Sequence, residues 1–118
     1  MENQNIKKKA SELGRFYKNK MIEERVFRLE EGIELYPEKV TEKFEEMFER
    51  KRIGKHISTG NIKGAEHDTF HISPGITMEI RYYKVSPVIS LYGEEETLEN
   101  FDTSLLNKLV NCLEIKEV

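Results

Sequence analysis

The stretch Thr69-Phe70-His71-Ile72-Ser73-Pro74-Gly75-Ile76-Thr77-Met78-Glu79-Ile80-Arg81-Tyr82-Tyr83-Lys84-Val85 decides the fold class. Side chains on a strand alternate between the faces of a sheet. Ile76, Met78, Ile80 and Tyr82 therefore share one face, and Thr77, Glu79, Arg81 and Tyr83 the other. An apolar set opposed to a mostly polar one at period two predicts a strand with one greasy side. Proline followed by glycine is the expected filling of a type II turn, so Ser73-Pro74-Gly75 joins this strand to Thr69–Ile72 as a hairpin. Val88–Tyr92, after Ser86-Pro87, reads as a further strand, and Lys55–Ile62 as a weaker one. The expectation is an antiparallel meander of three or four strands.

Helical patterns flank the meander. After the acidic loop Gly93–Asn100, Asp102 suits an N-cap, and Phe101 with Leu106 suits a hydrophobic staple. Leu105, Leu106, Leu109, Val110 and Leu113 then form an apolar face to lie on the sheet. Before the meander, Ile6, Ala10, Leu13 and Tyr17, then Ile22, Val26, Leu29 and Ile33, follow three-four spacing with a slip after Tyr17. Gly14 weakens this helix and Gly32 suits its left-handed stop. A β-hairpin of Val26–Leu29 with Ile33–Tyr36 competes for the same residues, but the abundance of Glu, Arg and Leu favours helix. Pro37 fits the first position of a second helix, with Val40, Phe44, Met47 and Phe48 on its buried face. The predicted architecture is α+β: an N-terminal αα-hairpin, the meander, and a C-terminal helix packed on the sheet.

Composition is consistent with one folded domain spanning residues 1–118, with 1–5 as a flexible tail. Apolar residues make up only 37% and charged residues 35%, but the net charge of -3 is too small to favour disorder. The residues from Met1 to Lys9 are polar and basic with no apolar segment behind them, and the single cysteine, Cys112, supports no internal disulfide framework. Both features predict a cytoplasmic protein. Thirteen lysines against six arginines hint at an AT-rich bacterial or phage genome. The charge is polarised, with a balance of +4 over residues 1–28 and -5 over residues 93–118. Such asymmetry steers partners or joins subunits.

No motif declares a catalytic centre. His67 and His71 flank Asp68, but on a strand their rings would stand ~13 Å apart, too far to share an ion. Cys112 falls in the apolar last helix, where a thiol behaves as a small hydrophobe. Gly60-Asn61-Ile62-Lys63-Gly64 lacks the spacing of a phosphate loop. Neither metal nor cofactor is therefore expected, and an enzyme is disfavoured.

Surface features carry the functional expectation. Arg50-Lys51-Arg52 with Lys55 and His56 forms a basic patch at a helix C-terminus, where cations also complement the dipole. Lys7-Lys8-Lys9 opposes the dipole of the first helix and suits a solvated tail or a phosphate-bearing partner. Arg81 and Tyr83 could stack on a base. Glu38, Glu42, Glu45, Glu46 and Glu49 form an acidic ridge, in which only Glu46 has a favourable partner four residues on, Arg50. The cluster Glu94-Glu95-Glu96 with Glu99 extends the acidic character, and the first helix offers a face for a homodimer.

The reading that follows is a small non-enzymatic binding protein, of inhibitor, immunity-factor or adaptor type, with another protein as partner. Its contact residues are Glu42, Glu45, Glu49, Arg50, Lys51, Arg52, Lys55, Arg81 and Tyr83. One alternative is nucleic-acid binding through the N-terminal and Arg50–Lys55 patches. Another is a small-ligand or nucleotide binder or enzyme, with His56, His67 and His71 near a pocket.

Overall fold

The structure is a computed structural model that describes residues 21–62, 64–72 and 75–118. Six strands form one antiparallel sheet: β1 (Glu23–Leu29), β2 (Gly54–Ile62), β3 (Ala65–Ile72), β4 (Ile76–Arg81), β5 (Val88–Gly93) and β6 (Ile115–Glu117). Their order across the sheet is β2-β3-β4-β5-β1-β6. Three helices belong to the same fold: α1 (Pro37–Phe44), which continues into a π-helical turn Glu45–Glu49, then α2 (Glu95–Glu99) and α3 (Ser104–Val110).

The class is α+β, but the sheet has six strands where three or four are expected. The meander β2 to β5 holds the expected connections, and the two additional strands come from the chain ends. The largest correction is at residues 23–36. The N-terminal αα-hairpin is not formed there, because Glu23–Leu29 is a strand. It pairs with β5 through Phe27 opposite Ile89 and Arg25 opposite Leu91, and with β6 through Leu29 opposite Ile115. The competing hairpin is not formed either, since residues 33–36 are not a strand. Tertiary demand overrides local propensity here. Without β1, strand β5, five of whose six residues are buried, would be an open edge. Phe27 and Leu29 also obey period two, which places both in the core while Arg28 faces out. The first part of the proposed N-terminal helix, Lys7–Lys9, the tail 1–5, the helical dimer face, and residues Ser73 and Pro74 of the hairpin turn lie outside the described residues.

One core fills the space between the sheet and the helices. Phe70, Ile72, Ile76, Met78, Ile80, Ile89 and Leu91 supply its floor, and Val40, Phe44, Phe48, Leu98, Leu106 and Leu109 its roof. The rings of Phe44, Phe48 and Phe70 meet at centroid separations of 4.7 and 4.3 Å, favourable for aromatic packing. Gly54 permits this approach. A Cβ there would lie 2.8 Å from the His71 carbonyl oxygen and 3.0 Å from Phe44 Cζ.

Pro37 opens α1 as expected. Asp102 stands one residue before the expected register. Thr103 occupies the cap position, and the Asp102 carboxylate accepts from the Ser104 N–H at 3.0 Å. The long strand stops at Arg81, four residues short of Val85, although the Tyr82 N–H still donates to Glu66 O at 2.9 Å. The second face of the sheet is not simply solvent-facing: Thr77, Glu79, Ser90 and Tyr92 are buried.

Candidate functional site

Two local arrangements gather the chemistry-bearing side chains, and they differ in kind. The first surrounds Asp68. Alternation along β3 places Asp68 on the same side as Phe70 and Ile72, so a carboxylate enters the core and is completely buried. A buried charge of this kind persists only when hydrogen bonds replace water. Oδ1 accepts from the Thr59 hydroxyl at 2.5 Å and pairs with His56 Nε2 at 2.9 Å, and Oδ2 accepts from the Tyr82 phenol at 2.5 Å. A register shift between His56 and Ser58 in β2 lets both His56 and Thr59 reach one carboxylate. Burial, reinforced by the hydrogen bond to Asp68, pushes the Tyr82 phenol well above its ordinary range. The His56 ring also packs on Phe70, with centroids 4.8 Å apart. Each oxygen of Asp68 is thus occupied by donors from β2 or from the end of β4. The arrangement ties three segments together, as a satisfied buried network does.

The second arrangement is a cleft of about 410 Å³ at the Gly54–Ile72 end of the β2–β3 ladder, lined by Arg52, Ile53, Gly54, Lys55, His71, Ile72, Gly75 and Ile76. Arg52 enters it from the turn that ends the π-helical segment. The Arg52 N–H donates to Glu49 O and the Ile53 N–H to Phe48 O, a Schellman closure. Arg52 occupies the left-handed position of that closure, at φ 59°, where glycine is usual. Lys55 and His71 face each other across β2 and β3. Thr77 Oγ1 lies 3.2 Å from His71 Nδ1 and orients the ring.

The expected contact residues are thereby divided. Glu42 and Glu45 are exposed on α1 and its π turn, whereas Glu49 is half-buried. The π turn also moves the partner of Arg50. Its guanidinium bonds to Glu45 at 3.1 Å, five residues back, and not to Glu46. Glu42 and Glu46 share a groove with Lys39, Lys43 and Lys108, so the acidic ridge is interleaved with cations. Lys51 is exposed. Arg81 is held by Glu79 at 3.0 Å, and Tyr83, 42% exposed, follows the end of β4. Of the basic patch, His56 turns inward to Asp68, while Arg52 and Lys55 line the cleft with His71. Thr59 and Tyr82 escape a reading based on motifs, and Asp68 enters one only beside His67 and His71 as a metal-like group. One signal was present: a carboxylate at a core-facing position of the apolar alternation Asp68, Phe70, Ile72.

Among the described residues, no group of three His, Cys, Asp or Glu side chains is placed to hold a metal ion. No helix among them is long and apolar enough to cross a membrane. No family model, curated protein or solved structure matches the chain.

Proposed function

We propose that the chain is a small, non-enzymatic, cytoplasmic binding protein of inhibitor, immunity-factor or adaptor type, and that its partner is another protein. The observation that carries this reading is a cleft of about 460 Å³ beside the β1–β6 edge. Val85 and Val118 line it while remaining 91% and 72% exposed. Arg28, Lys116, Glu30 and Glu114 surround them. Aliphatic side chains left in water within a rim of both charge signs match the apolar centre and polar rim of protein interfaces. The rim supplies orientation and steering, and the valines supply the desolvated contact. This surface is better suited to the task than the Glu42–Glu49 ridge, whose charges are offset by neighbouring lysines and by Arg50.

Affinity capture from the native host, comparing the unaltered chain with Val85→Glu and Val118→Asp variants, tests the reading. A protein retained by the unaltered chain and lost by both variants, with unchanged melting curves, supports it. Capture that is indifferent to both substitutions removes this surface from consideration. Retention of catalytic turnover on any substrate offered would replace the binding reading with an enzymatic one.

A further inference from the structure

We propose that the cleft formed by Arg52, Lys55 and His71 binds the phosphate of a small phosphate ester about the size of a mononucleotide. The inference is independent of the protein-binding surface. Its first support is charge. The molecule is acidic overall, with a net charge of -3, yet this cleft has two cationic side chains and an imidazole and no carboxylate in its lining. Three other clefts among the described residues include acidic residues: Glu34 in one, Glu30 in another, Asp102 in a third.

The second support is the state of the donors. Arg25, Arg50, Arg81 and Lys116 are each engaged by a carboxylate. The side chains of Arg52 and Lys55 have no hydrogen-bond or ion-pair partner among the described residues. Thr77, itself buried, engages Nδ1 of His71 and thereby fixes the ring, leaving Nε2 without a partner among the described residues. Guanidinium, ammonium and imidazole donors on one cleft match the several acceptor oxygens of a phosphate.

Backbone geometry adds a third support. A side chain other than glycine in the left-handed position is disfavoured, and strained positions of this sort cluster at functional sites. The residue held in that conformation here is Arg52, a cation in the lining of the cleft. The remaining lining defines the rest of the ligand. Ile53, 40% exposed, is the apolar side chain left open in the same lining, for the organic part of the ester. A volume of about 410 Å³ lies within the range of small-molecule sites.

Amide NMR titration of the full chain with inorganic phosphate, adenosine and adenosine monophosphate tests the proposal. Phosphate at ~10 mM should shift the resonances of Gly54, Lys55 and His71, and the monophosphate should bind roughly tenfold more tightly. Arg52→Gly and Lys55→Gln should each weaken monophosphate binding about tenfold, as expected for the loss of a charge-assisted contact. Arg52→Gly places the favoured residue in the left-handed position, so loss of binding there is not attributable to misfolding. Shifts spread equally over Lys84 and Lys108, or unchanged affinity in both variants, would reduce the effect to general charge attraction and overturn the site. Monophosphate binding no tighter than that of phosphate, or binding of adenosine equal to that of the monophosphate, overturns the ester assignment.

Discussion

Replacing Asp68 by alanine should cost far more than the loss of an ordinary carboxylate, and the structure indicates how much. Asp68 is wholly buried and receives bonds from Thr59, His56 and Tyr82. The three donors lose their acceptor unequally. Thr59 is exposed and the His56 side chain is 26% exposed, so water can replace the carboxylate at both. Each then costs roughly the net value of one hydrogen bond, about 0.5–1.5 kcal/mol. Tyr82 is mostly buried and its phenol would be left unsatisfied, at about 1–3 kcal/mol. Non-additivity and relaxation into the vacated space bring the expected total to about 2–4 kcal/mol. A domain of this length loses about 4 °C of Tm per kcal/mol, so Asp68→Ala should melt some 8–16 °C lower. Urea and thermal denaturation of Asp68→Ala, Tyr82→Phe and the double variant measure both the cost and the coupling. The coupling should be about 1–2 kcal/mol, because the phenol has nothing to lose once its acceptor is gone. A cost below about 0.5 kcal/mol, or no coupling, would refute the claim that this network holds β2, β3 and the end of β4 together.

Three further outcomes follow from local geometry. Gly54→Ala should lower stability by about 1–3 kcal/mol in urea unfolding, because the added methyl meets the His71 carbonyl and the Phe44 and Phe48 side chains. Burial and the bond to Asp68 hold the Tyr82 phenol above its ordinary value of 10.0, so its stabilising contribution is complete below that pH and declines above it. Tyr82→Phe should accordingly show a shallower alkaline loss of stability than the unaltered chain between pH 8 and 11. At the acid end, the hydrogen bond from Arg25 lowers the carboxyl of Glu117 below its ordinary 4.5. The pair therefore stabilises fully above that value and is lost as pH falls through the folded one. Glu117→Gln should remove an acid-dependent contribution of less than about 1 kcal/mol, small because the side chain is 46% exposed.

The legible parts of the fold were those in which local pattern and tertiary role agree. Ile76, Met78 and Ile80 alternate with polar residues and lie in a strand; Val40, Phe44 and Phe48 recur at helical spacing and lie on a helical face. Residues 22–33 misled because Ile22, Val26 and Leu29 fit a helical repeat while Phe27 and Leu29 fit a strand. Only the need to pair β5, a contact more than sixty residues away in the chain, selects between them. Such non-local pairing leaves little trace in local propensity. The expected Glu46–Arg50 pair fails for a different reason. An inserted residue in the π turn changes the phase of the helix, so Glu45 and not Glu46 meets Arg50. The basic patch was visible as composition, but its division was not. The inward turn of His56 depends on a β-bulge, and the recruitment of His71 depends on the β2–β3 register.

That division bears on how the molecule can be used. The register places Arg28 beside Val88 and Arg81 on one rung, and Gly54 beside Ile72 and Ile76 on another, five residues away along β4. The valine-lined cleft lies at the β1–β6 edge and the cationic cleft at the β2–β3 edge, so strand spacing and rise separate them by roughly 25–30 Å. Side chains that far apart, with no partner in common, perturb stability and binding independently. The two surfaces can therefore be altered one at a time, and neither ligand excludes the other by contact. Arg52 gives the cationic cleft its separate significance. A left-handed arginine costs the chain about 1–2 kcal/mol that glycine would not, a meaningful fraction of a domain's marginal stability. Arg50 and Arg81 sit without that strain and are held by carboxylates. Arg52 carries that strain and has no carboxylate partner among the described residues, which is the pattern expected when a charge is kept for a ligand and not for the fold.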